Sequence, residues 1–336
     1  MSATAQSPVV VSVGDVAGLV EMVPSVLGFV PSSPSLVLFL VGADSRMIAT
    51  VRLDAGDVEG LASVGIVARR HSVARCVVIG YDMPGMAGQT SRFAARAARA
   101  LAAAGIEVHG IAQVCGDRWR EGLSGTWRPA SEVISPARAA LTVAGYAPAG
   151  SREEFRARLL PGPVAHRALG QRWAARRMGW PEQLAALARC LVCDEQPRPR
   201  VAAAAAEAFG GLDRGRRDAI LAALLPGLDQ AGVDPETMAQ ARAGLGEVPW
   251  LPQLPGRVET ARAVRLVSAV PESMAVGPLL LAALMGWAGG SGALAGDALA
   301  RVLVLDPGNT LAEILMAIIG RGATFDEVTP GAGRRW

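Results

Sequence analysis

CVVIGYDMPGMAGQTSRFAARAARALAAAGIEVHGIAQV, residues 76–114, reads as strand, helix and strand in succession. Residues 76–80 form a compact apolar run of the buried-strand type. In residues 89–104, Phe93, Ala97, Ala100, Leu101 and Ala104 fall on one side at helical spacing, and Gly105 stands where it would cap the helix end. Residues 106–114 resume a strand pattern, which is the grammar of a crossover unit.

Upstream, residues 36–41 and 47–53 are two apolar or alternating runs divided by Gly42, Ala43, Asp44 and Ser45. This predicts a β-hairpin or two neighbouring strands, and hence a mixed sheet. Ser12 and Asp15 fit a capping box ahead of Val16, Leu19, Val20 and Val23, predicting a short amphipathic helix stopped by Pro24. Downstream, a Gly-bearing turn lies in residues 123–129, and strand signals become rare beyond about residue 135. Residues 1–150 therefore read as an α/β domain with a mixed sheet.

From Arg152 the pattern is helix after helix: an Arg-rich segment to Arg177, an apolar one through Leu191, an Ala run from Val201, then residues 218–225 and 235–243. Pro-rich patches at 197–199 and 249–255, the second a linker or packed corner around Trp250, interrupt it. Residues 258–270, 276–287 and 293–305 form a three-helix string. Asp306 reads as the N-cap and Pro307 as the first residue of a fourth helix, with Leu311, Ile314, Leu315 and Ile318 on one face and Gly320 at its close. The expectation is an all-α C-terminal half, a helical middle region over 151–247 and a helical bundle over 256–323. Its helix pairs, joined by short Gly or Asp-Pro loops, resemble tetratricopeptide packing without a fixed repeat period.

At 336 residues the chain has room for two domains and a sizeable core. All 33 basic residues are Arg and the net charge is only +3, so no strong field for phosphates is implied and nucleic acid is not expected as a partner. The start, MSATAQSPVVVSV, lacks a secretory pattern, and four Cys in a chain of this size read as reduced thiols, so a cytoplasmic location is expected. Residues 273–296 contain no charge and are long enough to span a bilayer. However, Val276, Leu279, Leu280, Ala283, Leu284 and Trp287 recur at helical spacing before a Gly-rich break, which favours a buried core helix and no membrane.

Several landmarks in order resemble one family. They are Val23-Pro24, Leu27-Gly28-Phe29, Pro31, Ser35-Leu36-Val37, Val51-Arg52-Leu53-Asp54, Gly105-Ile106-Glu107-Val108 and Gly116-Asp117-Arg118-Trp119. A late block follows: Trp287, Gly290-Ser291-Gly292, Ala298-Leu299 and Asp306-Pro307-Gly308. Together they resemble the actinobacterial domain-of-unknown-function family 4192, matched least over about 155–255, and the resemblance implies no activity. Ser291 departs from it, standing where Asp or Asn is expected between the glycines.

The candidate chemistry is sparse. Cys190 and Cys193 have redox or zinc spacing, but lack a second pair or a nearby His, and two buried thiols is the plainer reading. His71, His109 and His166 are scattered, so no metal is expected, and no cofactor motif stands in a strand-to-helix context. Gly290-Ser291-Gly292 reads better as a helix-to-helix turn than as a dinucleotide loop. Arg92, Arg96 and Arg99 form one stripe, and Arg167, Arg172, Arg176 and Arg177 gather around Trp173. Solvated faces are the usual meaning, with an acidic or nucleic-acid partner the sharper alternative at the second cluster, where an aromatic is interleaved.

The most suggestive polar set is Arg52 and Asp54 ending one strand, Tyr81 and Asp82 ending another, and Asp117 with Arg118 after a third. Ligands gather outside carboxyl strand ends, so these six would share a crevice for an anionic or phosphorylated ligand; the alternative is an ion-pair network that holds loops. The leading expectation is a non-enzymatic interaction or regulatory protein of an actinobacterium or its phage, acting on protein partners, with homo-oligomerisation left open. The second is a small-molecule binder or enzyme using that crevice.

Overall fold

The computed structural model of the protein describes residues 15–130, 136–143, 147–210, 213–225, 232–246, 248 and 256–328. Ser12, and the Pro-rich patch with Trp250, lie outside the described residues. The chain divides into two compact units between Phe155 and Arg156.

The first unit is built on one six-stranded mixed sheet in the order β2-β1-β3-β4-β5-β6. Its strands are β1 (Ser35–Gly42), β2 (Met47–Asp54), β3 (Val73–Asp82), β4 (Glu107–Cys115), β5 (Arg118–Glu121) and β6 (Arg128–Pro129). β1 runs antiparallel to both β2 and β3, whereas β3 and β4 are parallel, so the predicted hairpin and crossover are both present. On one face Leu36, Leu38 and Leu40 of β1, with Cys76 and Val78 of β3, form a core. It is closed by Leu61 and Val64 of α2 (Val58–Arg70) and by Phe93, Ala97 and Leu101 of α3 (Ser91–Ala103). Ala100 is exposed, and Ala94 takes its place in the buried stripe of α3. α2 is not among the helices expected from the sequence; Gly60 and Gly65 lower its helix propensity, while Leu61, Val64, Val67 and Ala68 form its buried stripe. It starts because the Asp57 carboxylate accepts from the Gly60 N–H at 2.8 Å.

On the opposite face lies α1 (Val16–Leu27), so close to β4 that a Cβ at Gly110 would meet Val16 at 2.7 Å. Asp15 caps α1 by accepting from Gly18 N–H at 2.7 Å. The helix does not stop at Pro24: it continues to Leu27 and ends on Gly28 in the left-handed region at φ 88°. Pro24 has no N–H for the Val20 carbonyl one turn earlier. The Tyr81 hydroxyl donates to that carbonyl at 3.4 Å, so the orphaned acceptor is satisfied from the sheet. α4 (Pro136–Val143) packs on α1.

From α5 (Arg152–Ala157), which spans the division, the described chain is helical. The second unit contains α6 (His166–Leu169), α7 (Arg172–Arg176), α8 (Trp180–Val192), α9 (Pro199–Gly210), α10 (Arg214–Leu224) and α11 (Pro235–Gly244). It continues with α12 (Arg257–Ser268), α13 (Val276–Ala288), α14 (Gly292–Leu305), α15 (Thr310–Gly320) and α16 (Phe325–Val328). The Arg-rich segment to Arg177 is thus not one helix but short pieces broken at Pro161-Gly162-Pro163 and Gly170. Successive helices pair, α8 with α9, α10 with α11, and α12 through α15 in turn, giving the expected helix-pair packing. Ala202 through Ala206 of α9 are buried, and their small side chains admit α6, α7, α8, α10 and α13 around one helix.

α13 is buried from Gly277 to Ala288, as the periodicity predicts, and its 13 residues fall short of the about 20 needed to cross a bilayer. Among the described residues no helix is long and apolar enough to cross a membrane. Two expectations for the last helix are corrected. Asp306 caps the C-terminus of α14, and Asn309 is the N-cap of α15, accepting from Ala312 N–H at 3.1 Å. Ala312 and Leu315 are its buried stripe, while Ile314 is 51% exposed because the apolar arc is wider than the surface it covers.

Candidate functional site

The strand directions bring all six predicted site residues to one end of the sheet. β2, β3 and β4 finish there and β5 begins there, with Ser35 of β1 in register with both Asp54 and Tyr81. Side chains alternate faces along a strand, however, and the register decides which face each residue takes. Ser35 opposite Asp54 and Tyr81 puts those two, with Arg52, on the α1 side. Asp82 opposite Cys115, and Cys115 opposite Arg118, put Asp82 and Arg118 on the α3 side. The sheet therefore divides the set instead of gathering it around one crevice.

Four of the six are also held locally. The Arg52 guanidinium, its side chain only 10% exposed, donates to Asp54 Oδ1 at 2.7 Å and to Ser33 Oγ at 2.9 Å. Tyr81 is buried against α1, and that burial pushes its phenol well above the ordinary range, so it acts as a neutral donor to Val20. Asp82 grips the loop that leads into α3: Oδ2 accepts from Gly88 N–H at 2.5 Å, and Oδ1 from Thr90 N–H at 2.7 Å and Thr90 Oγ1 at 2.8 Å. Thr90 lies so near β3 that a Cβ at Gly80 would meet its Oγ1 at 2.3 Å, a close approach that glycine permits. Asp117 and Arg118 are exposed at the β4–β5 turn.

A second polar centre, which the sequence does not announce, occupies the α3 side of β4. Gln113, fully buried, donates to Ser91 Oγ at 2.7 Å and accepts from Arg120 Nε at 2.8 Å. The Arg120 guanidinium lies 4.7 Å from the Trp127 ring centroid. Only register could have found this group, since an isolated Gln in an alternating run carries no motif.

In the helical unit, α7 turns one side toward α9 and the other outward. Ala175 is buried, and Arg172 and Arg176 donate through Nε to the two oxygens of Glu207 at 2.7 and 3.1 Å. Trp173, about 200° around the helix from Ala175, is 70% exposed, and Arg177 one turn on stacks at 4.5 Å over its ring. Leu160, Val164 and Leu169 in the preceding turns are 42%, 39% and 49% exposed. Nearby, Arg176, Trp180, Gln183, Glu207, Asp213 and Arg216 line a cavity of about 170 Å³. Drug-sized ligands occupy about 300 Å³ or more.

The remaining candidates resolve simply. Cys190 is buried but Cys193 is exposed, which corrects the expectation of two buried thiols: Cys193 is the C-cap of α8, where the chain leaves the helix. Among the described residues no group of His, Cys, Asp and Glu could hold a metal ion. Gly290-Ser291-Gly292 is the turn between α13 and α14, with Gly290 at φ 79°. Arg92, Arg96 and Arg99 lie along the exposed side of α3.

Compared with known proteins, the chain matches the family model described as Domain of unknown function (DUF4192) over residues 17–324. No curated protein and no solved structure matches it.

Proposed function

The chain belongs to the DUF4192 family across both of its units, and we propose that it is a non-enzymatic interaction protein that docks partners through the Trp173 surface of its helical unit. The observation that carries this reading is the outward Trp173 with Arg177 stacked on it, in a stretch whose Leu160, Val164 and Leu169 are also exposed. An indole left 70% exposed in a monomer forgoes the burial that most often stabilises such a ring, and Trp with Arg is the pairing that dominates interface hot spots. The strand-end set supports the same reading from the other side. Arg52 holds Ser33 ahead of β1, Tyr81 holds α1 and Asp82 holds the α3 loop by hydrogen bonds, which leaves Asp117 and Arg118 as surface residues. The setting we propose is the cytoplasm of an actinobacterium or of a cell its phage infects.

The test places a photoreactive benzoylphenylalanine at exposed His166, on α6 seven residues before Trp173, in cells that make the full-length protein. A discrete higher-mass adduct is expected, lost on Trp173→Ala and absent when the same group replaces exposed Arg70 on α2. No adduct at 166, or one indifferent to Trp173→Ala, would overturn the proposal. Trp173→Ala itself is expected to alter stability by no more than about 0.5 kcal/mol, as surface changes do.

A further inference from the structure

The charge around Trp173 is one-sided. Between Phe155 and Pro181 the chain carries Arg156, Arg158, Arg167, Arg172, Arg176 and Arg177, and neither Asp nor Glu. Arg156 is answered by Asp297 at 3.0 Å, and Arg172 and Arg176 share the single carboxylate of Glu207. Two guanidinium groups thus meet one carboxylate, and each uses only its Nε–H in doing so. A guanidinium has five N–H donors in a planar fork, so the terminal ones remain for a second acceptor. Arg177 lies with its charge over the indole face, an arrangement that leaves the edge of the guanidinium for bidentate contact with a carboxylate. Arg167 is exposed on α6, between Val164 and Leu169.

Basic and apolar groups therefore alternate along one stretch: Val164, Arg167, Leu169, Trp173 and Arg177. A complementary surface must bring carboxylates and apolar side chains together. Resting on the docking role proposed above, we infer that the occupant is an acidic peptide segment of another protein, its Asp or Glu side chains on Arg167 and Arg177 and an aliphatic side chain against Trp173 and Leu169. The same features disfavour a nucleic-acid strand. Such strands are held by successive aromatic platforms, whereas the other exposed large apolar residues of this stretch, Leu160, Val164 and Leu169, are aliphatic, and the chain's net charge is only +3.

The test uses the full-length protein with the photoreactive group at 166 and has arms that separate this inference from the docking role. Charge pairing predicts that adduct yield falls at least about tenfold between 0.1 M and 1 M salt, because the screening length shrinks from about 10 Å to about 3 Å. The double variant R167E/R177E should reduce yield at 0.1 M salt as strongly, and R167Q/R177Q by less. Mass spectrometry of the adduct should identify a cross-linked peptide with an excess of Asp and Glu. An adduct that persists in 1 M salt and in R167E/R177E would keep the docking role and sink the acidic partner. An adduct removed by nuclease, or one whose partner is a second copy of this chain, would also overturn the inference. No adduct under any condition removes both readings together.

Discussion

Asp82 gives the sharpest measure of whether the strand-end carboxylates serve structure. It is 7% exposed and accepts three hydrogen bonds, from Gly88 N–H at 2.5 Å, Thr90 N–H at 2.7 Å and Thr90 Oγ1 at 2.8 Å. Hydrogen bonds to a charged group are worth about 1.5–3 kcal/mol each, and a buried donor left unpaired costs about 1–3 kcal/mol. Asp82→Ala orphans two backbone donors while the Thr90 hydroxyl can turn away, so a loss of about 4 kcal/mol is expected. Asp82→Asn keeps one oxygen for Thr90 but sets its NH2 donor against the Gly88 N–H, orphaning one backbone donor instead of two, so a loss of about 2 kcal/mol is expected. In a unit of this size each kcal/mol lowers the melting temperature by roughly 2–4 °C. Hydrogen exchange should localise the damage: amides of residues 83–104 should lose protection before those of β1 and β2. Exposed Arg118 provides the contrast, since Arg118→Ala should stay within about 0.5 kcal/mol of the parent. Asp82→Ala within that same margin would refute the loop-holding role.

Tyr81→Phe removes the donor that satisfies the Val20 carbonyl, and should cost about 1 kcal/mol in urea denaturation. Combined with Pro24→Ala, which restores an N–H to that carbonyl, the loss should shrink; an unchanged loss would show that the two are not coupled. Among the cysteines, burial pushes the Cys76 thiol up to about 12, and burial followed by the neighbouring Cys193 does the same for Cys190. Maleimide at pH 8 should therefore modify exposed Cys193 in the folded protein and leave Cys76 and Cys190 until denaturant is added. The sign also fixes an alkaline effect: the folded thiols stay protonated while unfolded ones ionise near about 8.5, so stability is complete below that pH and falls as pH rises toward 12. A urea midpoint that holds steady from pH 8 to 10 would contradict that burial.

Local pattern alone determined a good deal of this protein. The hairpin of β1 and β2, the crossover through α3 and the helical character after Arg152 were legible because alternation, helical spacing and turn residues act over a few positions. The same locality explains the misses. The Asp306-Pro307 signal at the end of α14 was outweighed by Asn309, whose amide oxygen was better placed to cap. Pro24 looked like a stop because its remedy, the Tyr81 hydroxyl, comes from a strand 57 positions away in the chain. Tertiary structure alone decided the rest. Whether Arg52, Tyr81, Asp82 and Arg118 form one site depends on register parity through four pairings of five strands, and a shift of one residue would have moved any of them to the other face. Whether Trp173 is core or surface depends on which side of α7 meets α9, and Ala175 with the Glu207 ion pairs took that side. A side chain's neighbours in sequence set its backbone, but its exposure is set by elements that arrive from elsewhere in the chain.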